Sequence, residues 1–216
     1  MFRRRTSLFL SAAGAVLVAA PLLTACGSEA HPGAAAVVGG ERITMSQVQA
    51  RVEAAREAQH AMEEDARPVQ IPEQLLQRTL GNLVFQRVLE QAAEDAGVTV
   101  TRRDVQLYRE QEERSTGGAE QLHAVMLQES GVAPDEIDEV MRVRLLFYRL
   151  VERLGVDPNT PQGDEQLRVT LVEASKSLDI SVNPRYGVWD DERIGLADSE
   201  EPWIKNVSNP APEQPA

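Results

Sequence analysis

The sequence is poor in the residue types that build metal sites and catalytic centres. It has one cysteine, three histidines (His31, His60 and His123) and only 4% aromatic residues in 216 positions. One cysteine cannot form an internal disulfide, and with three dispersed histidines it cannot supply a standard zinc site. The serines are scattered, without the Gly-x-Ser-x-Gly spacing of a nucleophile elbow. We therefore predict no metal, no cofactor and no enzymatic activity.

Positive charge is also scarce. The chain has 22 basic against 34 acidic residues, a formal net charge of −12. Residues 1–25 contain three arginines and no acidic residue, which leaves 19 basic against 34 acidic residues in the remainder. Such a surface repels phosphate backbones and anionic lipid headgroups. Nucleic acid is therefore excluded as a partner. Any attachment to a membrane must come from something other than electrostatic attraction to its lipids.

The first 26 residues provide another basis for attachment. Three arginines at positions 3–5 precede an apolar stretch over residues 8–20, as in a signal peptide. The segment ends in Leu23-Thr24-Ala25-Cys26, which resembles the lipobox of bacterial lipoproteins. The resemblance implies that residues 1–25 are removed and that Cys26 carries acyl chains such as palmitate, so that residues 26–35 form a tether outside the cell membrane. The alternative is an uncleaved membrane helix, which also places the remainder on the extracytoplasmic side.

The next segment predicts a strand, a tight turn and a helix. Residues 36–38 read Ala-Val-Val, Gly39 and Gly40 form a hairpin turn, and residues 41–43 leave it. Thr44 with Gln47 has the spacing of a capping box at the start of a helix.

Apolar residues at steps of three and four then predict a series of amphipathic helices. One runs from Pro72 to Gly97, and a second begins at the Thr101 cap. A long helix from Ala133 to Gly155 carries two apolar stripes, and we expect it to be the central helix. A last helix precedes a minimal strand over residues 180–183. Beyond it, we expect residues 188–216 to be irregular and partly disordered, with isolated aromatic residues.

The order of these segments resembles the N-terminal chaperone domain of SurA and PrsA-type foldases, over residues 36–187. The resemblance implies a mainly α domain in which the N-terminal and C-terminal segments form a small two-strand β element. In that family a parvulin prolyl isomerase domain is commonly inserted after the long helix. Here residues 156–163 alone lie at that point, too few for a domain. We therefore expect no isomerase activity.

The resemblance implies a lipid-anchored holdase that binds unfolded or secreted polypeptides. Adaptable side chains suit a promiscuous groove, and each candidate could equally be an ordinary core residue. The candidates for its lining are Met62, Tyr108, Met126, Met141 and Phe147. The rival hypothesis is an envelope scaffold that recognises one folded partner through exposed aromatic residues, namely Tyr186, Trp189 and Trp203.

Overall fold

The computed structural model describes residues 33–62 and 73–197. All of them belong to a single compact unit. The side chains of Met62, Glu73 and Gln74 are outside this description. The predictions made for residues 1–25, Cys26 and Trp203 also lie outside the described residues.

Six helices and five short strands make up the described chain. The strands are β1 (Ala34–Val38), β2 (Glu41–Thr44), β3 (Ser181–Val182), β4 (Val188–Asp190) and β5 (Gly195–Ala197). The helices are α1 (Met45–Met62), α2 (Glu73–Asp95), α3 (Arg102–Thr116), α4 (Ala119–Ser130), α5 (Ile137–Leu154) and α6 (Pro161–Ser177). The mainly α fold class is confirmed.

Strand β1 lies between β2 and β3 in an antiparallel sheet. The β1–β2 turn has positive φ at both Gly39 (58°) and Gly40 (80°), which glycine tolerates best. Ala36 faces Val182 across the β1–β3 pair, so the predicted pairing of the N-terminal and C-terminal segments is confirmed. Ala34 and Ala35, which the sequence assigned to the tether, belong to β1 and are buried.

Both predicted helix caps, at Thr44 and Thr101, are present, and each is a capping box. At the start of α1, the Thr44 amide donates to Gln47 Oε1 (2.7 Å) and the Gln47 amide donates to Thr44 Oγ1 (3.2 Å). Thr101 and Asp104 make the same exchange at α3. Arg149 of α5 also bonds to Asp104 and, with the Thr101 cap, holds the pKa of that carboxyl well below its usual range. This contact fixes α3 against α5.

The central helix is α2, and our prediction that α5 is central was wrong. Helix α2 packs against α1, α5, α6, β1 and β5, whereas the main helical neighbours of α5 are α2 and α3. The main core lies along α2, whose largest fully buried side chains are Leu80, Val84, Val88 and Leu89. The helix predicted from Ala133 to Gly155 forms as a 3-10 turn followed by α5, and ends at Gly155 with φ of 65°.

Residues 188–197, predicted to be irregular, form a β-hairpin of β4 and β5. Trp189 is buried and its Nε1 donates to Ser175 Oγ of α6 at 2.8 Å. The Ser175 hydroxyl in turn donates to Asp191 Oδ1 at 2.5 Å. Tyr186 is also buried, so neither aromatic residue offers the exposed anchor that the scaffold hypothesis requires. The hairpin forms because of contacts with a distant helix, which local strand signals do not reveal.

Alanine substitutions at two glycines, Gly163 and Gly81, are expected to have opposite effects on the free energy of unfolding. At Gly163, in the first turn of α6, an added Cβ would lie 2.0 Å from the Asp157 carbonyl oxygen. Gly163→Ala must therefore shift the backbone, and we expect it to lower the free energy of unfolding by about 2 kcal/mol.

Gly81, inside α2, is the matched control. An added Cβ there meets Leu196 Cδ1 at 3.6 Å, an ordinary contact. Gly81→Ala is expected to raise the free energy of unfolding by about 0.5–1 kcal/mol, because alanine is the better helix former. Urea unfolding of both variants checks the pair, and effects of the same sign would contradict this assignment.

Candidate binding cleft

A cleft of about 650 Å³ opens between α1, α2, the end of α4 and the start of α5. It lies where α1 and α5 pack mainly against different neighbours: α1 packs against α2 and α4, whereas α5 packs against α2 and α3. The cleft is larger than two other recesses, one of about 390 Å³ between α2 and the β4–β5 hairpin and one of about 540 Å³ between α3 and α5. Its volume and position make it the leading candidate for a binding site.

The walls of the cleft combine apolar and polar groups. The apolar side chains come from α1, α2 and α5, and among them are Val52, Ala55, Leu75, Phe85, Val140 and Val143. All of these except Val52 are only half-buried, so a ligand can contact them. Gln59, Thr79, Asn82 and Gln128 add hydrogen-bonding groups beside them. Such a lining can accept apolar side chains and satisfy the polar backbone of an extended chain at the same time.

Four arginines line the cleft in a protein that is otherwise strongly acidic. They are Arg51, Arg56, Arg78 and Arg144. Arg51 pairs with Glu136 and Arg56 with Glu53. Within residues 33–62 and 73–197, neither Arg78 nor Arg144 has a carboxylate at ion-pair distance. The cleft is therefore locally less negative than the rest of the molecule.

The Arg51–Glu136 pair ties α1 to the turn that precedes α5. Arg51 Nε lies 3.1 Å from Glu136 Oε1, and both residues line the cleft. Burial raises the pKa of the Glu136 carboxyl, although the Arg51 guanidinium opposes that rise. Partly exposed pairs of this kind contribute modest stability. The pair mainly sets the position of α1 against α5.

A second polar network sets the spacing between α2 and α5. Arg142 donates to Glu139 (2.8 Å) and to Glu90, and Gln86 donates to both Glu90 and Glu139. The hydrogen bonds from Arg142 hold the pKa of the Glu139 carboxyl below its usual range. Gln86 and Glu139 border the cleft on one side. On the other side of this network, Glu139 and Arg142 line the recess of about 540 Å³.

Two of the five residues predicted to line a groove are in the core. Met126 and Met141 are 3% and 0% exposed, respectively, in a second cluster that also contains Val105, Leu122 and Ile137. This cluster joins α3, α4 and α5. A bound chain cannot reach either methionine, and the prediction was wrong for both. Met62 ends α1, but its side chain lies outside the described part of the structure.

Tyr108 and Phe147 lie in an aromatic cluster with Tyr148. The Tyr148 ring is 6.3 Å from Tyr108 and 6.1 Å from Phe147, in edge-to-face geometry. Tyr148 is 55% exposed, whereas its two neighbours are half-buried. Burial, with the nearby Glu112 carboxylate, raises the pKa of Tyr108 to about 12, so its hydroxyl stays protonated. None of the three lines the cleft, and a binding role for Tyr108 and Phe147 stays a prediction.

Sequence patterns contained part of the information about the cleft. Phe85 belongs to a second apolar stripe of α2, beside the stripe of Leu80 and Val84, and Val52 and Ala55 mark the inner face of α1. Two apolar stripes on one helix favour neighbours on two of its sides. They cannot show that two of those neighbours leave a gap between them. The sequence did not mark the four arginines as cleft residues, because charged residues on a helix usually form its solvated face.

The described residues contain neither a cluster of metal-ligating side chains nor a membrane-spanning helix. No group of three or more His, Cys, Asp or Glu residues in 33–62 and 73–197 is arranged to hold a metal ion. None of the helices described is both long and apolar enough to cross a membrane.

Comparison with protein families gave one match. A family model described as "SurA-like N-terminal domain" matches residues 1–128, more than half of the chain. The matched region extends through α1, α2 and α3 and most of α4, and so includes two of the helices around the cleft, α1 and α2, in full. Neither the curated proteins nor the solved structures contain a match to the chain.

Proposed function

Because this chain belongs to the family of SurA-like N-terminal domains, we propose that it is a lipid-anchored holdase that keeps unfolded polypeptides from aggregating outside the cytoplasm. Family membership indicates a chaperone-type function and the binding of polypeptide substrates. The holdase activity, the anchor and the location are our proposals.

The cleft is the observation that carries the proposal. Its volume of about 650 Å³ can accommodate several side chains of an extended polypeptide. Half-buried apolar residues, such as Phe85, Val140 and Val143, can cover the apolar side chains of a client. Glutamines and arginines beside them can bond its backbone carbonyls. A mixed lining of this kind binds many sequences weakly, as a holdase requires.

The proposed anchor rests on Cys26. The leader before it and the lipobox-like ending at Ala25 and Cys26 support cleavage and acylation there. Two or three acyl chains bind a bilayer far more firmly than one. A stable anchor would keep the cleft close to the membrane, where secreted chains emerge unfolded.

An aggregation assay tests the proposal. A form of the chain that starts at Gly27 contains the whole compact unit and needs no detergent. At a few-fold molar excess we expect it to suppress light scattering from a chemically denatured test protein diluted into buffer. It should leave the cis–trans isomerisation rate of a proline-containing peptide unchanged. The absence of suppression would contradict the holdase function, and a faster isomerisation would contradict the absence of isomerase activity.

A further inference from the structure

We propose that an extended client crosses α2 and occupies two openings at once, and that the preferred client carries an acidic side chain between two apolar ones, in the order apolar-x-acidic-x-apolar. This inference rests on the proposed function and names the class of segment that the site prefers. The second opening is the recess of about 390 Å³ between α2 and the β4–β5 hairpin.

The first argument is that the two openings share one wall. Arg78, Asn82 and Phe85 line both the cleft and the recess. Their spacing of i, i+4 and i+7 places them on one stripe along α2. Thr79, on one side of this stripe, lines the cleft, and Gly81, on the other side, lines the recess. The stripe is therefore a ridge with one opening on each side.

The second argument is the chemistry of the walls. Half-buried apolar side chains line both openings, among them Val143 in the cleft and Ile194 and Leu196 in the recess. Each opening can therefore cover an apolar side chain of a client. The ridge between them offers a guanidinium and a side-chain amide, because Arg78 and Asn82 are both exposed.

The third argument is charge. The other charged side chains that line the cleft are three positive and three negative, namely Arg51, Arg56, Arg144, Glu129, Glu136 and Glu139. Arg78 is the one charged residue among the described residues that line the recess. It has no carboxylate at ion-pair distance within residues 33–62 and 73–197. The excess positive charge at the two openings is therefore that of Arg78, and a client carboxylate complements it.

The net charge of −12 does not prevent this contact. At physiological ionic strength, exposed charges more than about 8 Å apart are largely screened from each other. A carboxylate in contact with Arg78 is therefore stabilised mainly by that guanidinium, and distant surface carboxylates oppose it only weakly.

The spacing of the preferred segment follows from strand geometry. Alternate side chains of an extended chain lie on the same face, about 6.6 Å apart. An α-helix with its side chains is about 10–12 Å in diameter. Client residues i and i+4, about 13 Å apart, therefore reach the openings on both sides of α2, while residue i+2 faces the ridge.

Peptide binding tests the charge preference. Fluorescence anisotropy compares labelled peptides with the cores Leu-Ser-Glu-Ser-Leu, Leu-Ser-Gln-Ser-Leu and Leu-Ser-Lys-Ser-Leu, and the protein is the chain from Gly27 onward. We expect the Glu peptide to bind about threefold more tightly than the Gln peptide, as for a partly exposed ion pair, and the Lys peptide to bind most weakly. Moving the glutamate to the second position of the core should remove the preference, because its side chain then faces away from the ridge.

Charge reversal identifies the contact. Arg78→Glu should invert the order, so that the Lys peptide binds most tightly. Arg103→Glu is the matched control, since Arg103 is also exposed, lines neither opening and has no ion pair within the described residues. The order of the three peptides should then stay as in the unsubstituted protein.

Filling the recess tests the second opening. Gln77 lines the recess and does not line the cleft. Gln77→Trp should weaken the binding of the Glu peptide about fivefold, because one leucine loses its site. A peptide in which one of the two leucines is replaced by serine should bind this variant as it binds the unsubstituted protein. Thermal unfolding checks that the variant remains folded.

Three results would overturn the proposal. They are equal affinities of the three peptides, a preference for glutamate that persists in Arg78→Glu, and a dimer in sedimentation that Gln77→Trp abolishes, which would assign the recess to a second copy of the chain. Suppression of aggregation without a charge preference would refute this inference and leave the proposed function intact. A charge preference in a protein that fails to suppress aggregation would confirm the peptide site and refute the proposed function.

Discussion

Val140→Glu is expected to weaken the binding of an unfolded client at least about tenfold, equivalent to about 1.4 kcal/mol. Val140 is half-buried on the α5 wall of the cleft. A glutamate there places a carboxylate on an apolar wall, close to Glu136 and Glu139 along the same segment. A client side chain would then have to desolvate an unpaired charge. Fluorescence anisotropy of a labelled, permanently unfolded test protein measures the change in affinity.

Val169→Glu is the matched control. Val169 is on α6, is 41% exposed and does not line the cleft, so the same substitution should leave client affinity unchanged. Since Val140 also packs against the second cluster, thermal unfolding must show that Val140→Glu remains folded.

Ala55→Trp provides a second approach, because it fills the cleft from the α1 wall without adding charge. Unchanged affinity in both cleft variants would exclude the cleft as the client site.

Trp189→Ala is expected to lower the free energy of unfolding by about 3–5 kcal/mol, the range for a large aromatic residue removed from a core. Trp189 is 8% exposed and joins the hairpin to α6 through Ser175. Its removal leaves a cavity beneath the hairpin. Urea unfolding followed by circular dichroism measures the loss.

Trp189→Phe separates packing from hydrogen bonding. Phenylalanine retains most of the buried area, and the Ser175 hydroxyl keeps its bond to Asp191. We expect Trp189→Phe to cost about 1 kcal/mol, the net value of one hydrogen bond. Equal losses in the two variants would show that the hydrogen bond, rather than packing, holds the hairpin.

Local signals located the boundaries of several elements correctly. Gly39 and Gly40 identified the hairpin turn, and Thr44 and Thr101 identified helix starts, because each acts on neighbours within a few residues. Gly155 likewise ended α5. The β1–β3 pair joins segments that are distant in sequence, and the resemblance to a known domain predicted it where periodicity could not.

The errors have a common physical origin in contacts between distant segments. Helical spacing places Met141 on an apolar stripe of α5, but it cannot show whether a neighbouring helix covers that stripe. In the structure, α3 and α4 cover Met141. The three residues of β4 carry too weak a pattern to predict a strand; a hydroxyl on α6 and a buried indole stabilise it. The cleft depends on how four helices pack against one another, which no single helix encodes.

The position of β1 between its two partners has a consequence for the export that we propose for this chain. Export through a membrane would deliver the chain N-terminus first, so β1 and β2 would emerge while α6 and β3 were still inside the cell. Until Val182 arrives opposite Ala36, one edge of β1 has unpaired backbone groups, which are prone to association with other strands. Contacts between such distant segments also slow folding. During the proposed export, the protein would itself be an aggregation-prone chain of the kind that we propose it protects.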